Sequence, residues 1–135
     1  MAKKIEDIEG IGPAYGEKLR KAGVASPGTL LKEGCTKKGR DSLSEKTGLD
    51  AGQILKFVNM ADLFRVKGIA GQFAELLKAS GVDTVKELRT RNAANLVVKM
   101  AEVNAAKKLC KVSPSEKMVE GWIEQAKELP PMVTY

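Results

Sequence analysis

The feature that most narrows what this chain can fold into is a repeat of its own sequence. Shifted by 58 positions, Ile8, Gly10, Ile11, Glu17, Leu19, Gly23, Val24 and Leu30 meet Val66, Gly68, Ile69, Glu75, Leu77, Gly81, Val82 and Leu88. Tyr15 then faces Phe73 and Arg20 faces Lys78. Glycines and apolar residues match together, which is the signature of one supersecondary unit used twice. Further along, Ile54, Phe57, Val58 and Ala61 align with Val119, Trp122, Ile123 and Ala126 only at a shift of 65. The second copy therefore carries a net insertion of seven residues, which we assign to a loop. The expected organisation is a first unit at 1–65, a second at 66–129 sharing one core with it, and a C-terminal tail at 130–135.

Each unit reads as helical. Tyr15 and Leu19 recur at helical spacing while Glu17, Lys18, Arg20 and Lys21 fall off that stripe, and Gly23-Val24 has the pattern of a helix stop with its apolar contact. Ser26-Pro27 supplies a cap and a first helical residue, and Thr84 with Glu87 supplies a capping box. Asp50, Asn92 and Ser113 mark three more helix starts, the last opening a helix near 114–129. No segment alternates with period two, so the expected class is all-α, with about eight to nine short helices. Tyr15, Phe57, Phe64, Phe73 and Trp122 occupy helical apolar positions and read as core.

Composition excludes several chemistries. The 135 residues contain no histidine and only two cysteines, Cys35 and Cys110, without metal-ligand spacing. A zinc site, a histidine-based acid–base mechanism and a disulfide framework are not expected, and both thiols read as small buried hydrophobes. No cofactor is implied. There is no apolar leader and no long apolar run, so a cytoplasmic chain without a membrane partner is expected. The glycines at 10, 12 and 16 do not fit a dinucleotide fingerprint, no P-loop is present, and nothing marks a catalytic recess. We therefore expect no enzyme.

In "GIGP", Gly10 and Gly12 permit a turn too tight for side chains, Ile11 tucks back between the flanking helices, and Pro13 presets the next one. The first N–H groups of that helix then face outward with the positive end of the helix dipole behind them, where a phosphate fits. Gly16 and Ala74 are placed to let the helices of each hairpin pack closely. These residues resemble the helix-hairpin-helix motif, and the pairing of two such motifs, with Asp62-Leu63-Phe64-Arg65 leading into the second, is similar to an uncharacterised bacterial family of tandem helix-hairpin-helix proteins. The resemblance covers nearly the whole chain. It implies a small helical domain of the SAM or helix-hairpin-helix type that binds nucleic acid, DNA in preference to RNA, through backbone phosphates.

Carried over residue by residue, the resemblance implies that Gly10, Ile11 and Gly12 form the first turn, that amides near Gly12 and Ala14 are donors, and that Lys18 and Lys21 are charge partners. In the second copy Lys67, Gly68 and Gly71 occupy the turn and Lys78 the helix. Two departures stand out. Ala70 replaces the second glycine, which either closes the pocket or shifts the donor role to Gly71, and Glu9 opposes an anion where its counterpart is Lys67.

The net charge of +6 divides evenly, with 12 basic and 9 acidic residues through Arg65 and 11 and 8 after it. That balance fits a repeated phosphate-binding surface, and it equally fits a monomeric helical module that binds a protein partner and no nucleic acid. Lys37, Lys38 and Arg40 form one basic cluster and Lys107, Lys108 and Lys111 another. Each reads either as an extension of a phosphate track or as a solvated surface. With 4% aromatic residues there is no stacking platform for single strands.

Overall fold

The computed structural model describes residues 4–135, and all regular structure in them is helical. A 3-10 turn at Ile5–Asp7 precedes α1 (Pro13–Lys21), α2 (Pro27–Gly34), α3 (Lys37–Thr47), α4 (Ala51–Leu63), α5 (Gly71–Ala79), α6 (Val85–Leu88), α7 (Ala93–Lys107) and α8 (Glu116–Glu128). Contacts divide the chain into two compact units. The first runs through Asp62 and takes in Met132–Tyr135, and the second is Leu63–Pro131. The last four residues thus return to the first unit, where Thr134 N–H donates to the Cys35 carbonyl at 2.8 Å.

The helix ends follow from local sequence. Gly23 (φ 87°) and Gly81 (φ 94°) stop α1 and α5 in the left-handed region. Behind them Val24 N–H donates to Leu19 O and Val82 N–H to Leu77 O, each at 2.8 Å, so the helix turns back on a buried apolar contact. Ser26 Oγ accepts from Thr29 N–H at 3.2 Å with Pro27 as the first helical residue, and Thr84 Oγ1 accepts from Glu87 N–H. The expected reciprocal half of that box is absent, because the Glu87 carboxylate takes two bonds from Arg91 instead. Asn92 caps α7 as expected.

Ser113 does not start the last helix. Ser115 caps α8 through Met118 N–H, while Ser113 Oγ accepts from Asn104 Nδ2. Asn104 also exchanges two bonds with the Cys110 backbone, so its carboxamide organises the loop and takes Ser113 out of competition for the cap. The insertion is likewise not confined to a loop. The link 108–115 replaces 48–50, but α7 also has 15 residues where α3 has 11. A longer helix needs no turn signal, so sequence alignment alone assigned its extra turn to the link.

Ile5, Ile8, Leu19, Val24, Leu30, Ile54 and Val58 are fully buried in the first unit, and Val66, Ile69, Leu76, Leu77, Leu88, Met100 and Val119 in the second. Residues aligned by the repeat make the same ring contact in each unit. Tyr15 and Phe57 lie 6.3 Å apart between centroids, and Phe73 and Trp122 lie 5.2 Å apart, both tilted. Only Phe57 and Trp122 of these aromatics are buried. Tyr15, Phe64 and Phe73 are half-buried at the edge, each on a helix or link that keeps one face in water.

Candidate nucleic-acid interface

Both glycine turns have one backbone solution. Gly10 takes φ 94° and Gly68 φ 97°, a region that disfavours any residue with a Cβ. A Cβ would also be crowded, lying 3.3 Å from Phe57 Cε1 at Gly10 and 3.0 Å from Trp122 Nε1 at Gly68. The following isoleucine is buried in each case. Ile11 N–H donates to Ile8 O, and Ile69 N–H donates to Val66 O. The turn is thereby pinned from inside and its outer rim left as bare backbone.

Gly12 and Ala70 then cap the next helices in extended conformation, at φ −87° and −110°, without a side-chain cap. A Cβ at Gly12 would meet nothing within 4 Å. Neither conformation nor packing therefore requires glycine there. The alanine at 70 takes up the same backbone, so its methyl leaves the helix start unaltered. Among the described residues no acceptor reaches the N–H groups of Gly12, Ala14 and Tyr15, nor those of Ala70, Gly71, Gln72 and Phe73. The second helix start has one donor more, because Gly71 keeps the N–H that Pro13 lacks.

The charges around the turns differ. Glu9 is exposed beside the first and Lys67 beside the second. Gln125 braces the second turn by accepting from Lys67 N–H at 2.9 Å and donating to its carbonyl at 3.2 Å, which leaves the Lys67 side chain outside. Lys18 is exposed with its ammonium 6.0 Å from the Tyr15 ring centroid. Lys21 is exposed and pairs with Glu17 at 3.3 Å, and Lys78 is half-buried. Gly10, Ile11, Gly12 and Ala14 thus cluster at one turn, and Lys67, Gly68 and Gly71 at the other. Lys18 and Lys21 lie in the last turn of α1 and Lys78 in that of α5, away from the helix starts.

Other expected positions serve different ends. Gly16 is buried under the Glu6 carboxylate, which touches the place a Cβ would occupy, so the gap it leaves is filled by a side chain and not by a neighbouring helix. Glu6 is held there by Arg20 in a bidentate pair at 2.6 and 2.7 Å. Arg40 is not part of a phosphate track. It is 4% exposed, and its guanidinium donates to Gly34 O at 3.0 Å and Thr134 O at 2.6 Å. Lys37 and Lys38 remain exposed at the start of α3. Cys110 is buried, with its thiol pushed up by desolvation, whereas Cys35 is half-buried. Sequence reasoning missed Gln125, which stands 58 residues from the backbone it braces, and the Glu6–Arg20 pair, whose partners look like ordinary surface charges.

Two compact units, each containing a glycine turn followed by a bare helix start, describe a small all-helical protein. The sequence matches the family described as "Domain of unknown function (DUF4332)" over residues 9–129, and the chain belongs to that family. No curated protein and no solved structure gives a match. Among the described residues, no helix is long and apolar enough to cross a membrane.

Proposed function

We propose that this protein binds nucleic acid, duplex DNA in preference to RNA, through backbone phosphates and without reading bases. The observation that carries the reading is the pair of uncapped helix starts behind glycine turns. Seven N–H groups at these two places have no acceptor among the described residues, and a phosphate oxygen is what such a helix start holds best. Gly12 strengthens it, because glycine there answers no internal need and removes the side chain from the path of an approaching ligand. Lys67, exposed beside the second turn, supplies attraction. The reading assigns no reaction and no cofactor, and a monomer in the reducing cytoplasm suits the two free cysteines.

The test is anisotropy of a labelled random duplex across a salt series. Three or four neutralised phosphates predict a log–log slope of about −3 and affinity no tighter than roughly micromolar. A Gly12→Glu, Ala70→Glu double variant should abolish binding while keeping the fold, because neither site is buried or left-handed. Absence of binding at low salt overturns the proposal. A protein-binding module is the second reading, favoured by one observation: Ala94, Val98, Ala101 and Ala105 form an exposed apolar stripe on α7, with Val98 57% exposed.

A further inference from the structure

The second unit holds a cavity of about 340 Å³ that the repeat does not explain. One wall is a single face of α7, on which Asn92, Asn95 and Lys99 recur at helical spacing. Ser80, Thr90, Arg91 and Leu96 complete the lining. Asn92 spends its side-chain oxygen on the Asn95 N–H at 3.1 Å, so its NH₂ group remains to donate. The Asn95 carboxamide and the Lys99 ammonium have no partner among the described residues. Arg91 is fixed in place by the Glu87 carboxylate at 2.8 Å and by the Gly81 carbonyl at 2.8 Å. Among the described residues, no carboxylate lines the cavity.

These donors are not a requirement of the fold. When the starts of α3 and α7 are superposed on their caps, Thr36 and Asn92, the positions of Arg91, Asn95 and Lys99 fall on Cys35, Gly39 and Leu43. The first unit builds the same corner with an apolar residue, a glycine and a thiol. An open concavity whose exposed rim carries Asn92, Asn95 and Lys99, with no carboxylate among its described lining residues, favours an anion. Its volume is at the lower end of the roughly 300–1,000 Å³ of small-molecule sites, enough for a phosphate with a sugar-sized group attached.

We propose that this cavity binds a phosphate group, held by Lys99 and by the side chains of Arg91, Asn92 and Asn95. Glu87 offsets the charge of Arg91, so one net positive charge remains and inorganic phosphate alone should bind with a Kd of about 1–10 mM. The phosphate belongs either to a nucleic-acid backbone or to a free phosphorylated small molecule. The site uses side chains of α7 and stands independently of the two glycine turns.

The test is titration of ¹⁵N-labelled protein with inorganic phosphate at constant ionic strength. The side-chain amide resonances of Asn92 and Asn95 should shift saturably, and the shifts should vanish in an Asn95→Asp, Lys99→Glu variant that keeps its circular dichroism. They should persist in the Gly12→Glu, Ala70→Glu variant, which separates failure of this site from failure of the turns. A tenfold or so loss of duplex affinity in the cavity variant assigns the phosphate to a nucleic-acid backbone. Unchanged duplex binding beside lost phosphate binding assigns it to a small molecule. If phosphate up to about 50 mM gives no saturable shift, or the variant shifts like the parent, the proposal is overturned.

Discussion

Lys108 is the sole non-glycine described residue with positive φ, at 53°, and it ends α7 where Gly48, at 77°, ends α3. Placing a side chain in that region costs about 1–2 kcal/mol, part of which glycine returns through its greater freedom when unfolded. Lys108→Gly should therefore stabilise the protein by about 0.5–1 kcal/mol, measured by urea denaturation at unchanged slope. The turns make a sharper contrast. Gly10→Ala and Gly68→Ala should each destabilise by more than about 1 kcal/mol, because both strain the backbone and press on a ring, whereas Gly12→Ala should change stability by less than about 0.5 kcal/mol. Sequence alone made Gly10 and Gly12 look like equals. Conformation separates them, since only the first is held by the fold, and nothing local in the sequence reports which φ a glycine takes.

Helix starts were legible wherever the cap competes with nothing else. Ser26, Thr84 and Asn92 read correctly because the residue that caps is also the first polar group the helix meets. Ser113 and Ser115 offered two candidates, and Asn104 decided between them from a helix away. Ser115→Ala should thus cost α8 about 1 kcal/mol by thermal denaturation, with Ser113→Ala costing less because the Asn104 carboxamide keeps its two bonds to Cys110. The two candidate binding elements also differ in strength. Glu9 faces the first turn and Lys67 the second, so Glu9→Lys should raise duplex affinity at low salt and steepen the log–log salt slope by about 1. An unchanged slope would place the first turn outside the interface.

Across the whole molecule the repeat was the legible part, because it is written twice and its glycines and rings are placed by the same constraints each time. The closing contact of the first unit was not legible, since Arg40 and Thr134 are 94 residues apart and Arg40 sits in a run that reads as surface charge. Removing residues 132–135 takes the Thr134 carbonyl from a buried guanidinium and the Thr134 N–H from Cys35 O, and should cost the first unit about 1–3 kcal/mol. The candidate site was legible as a pair of turns, but Gln125 and the cavity beside α7 depend on pairings between distant segments that no local pattern announces. The central claim is that bare amides at the two helix starts hold phosphate. Backbone ¹H–¹⁵N shifts during titration with a short duplex test it most directly. The account predicts the largest changes at Gly12, Ala14 and Tyr15 and at Ala70 through Phe73. Saturable binding with those amides unmoved would contradict it.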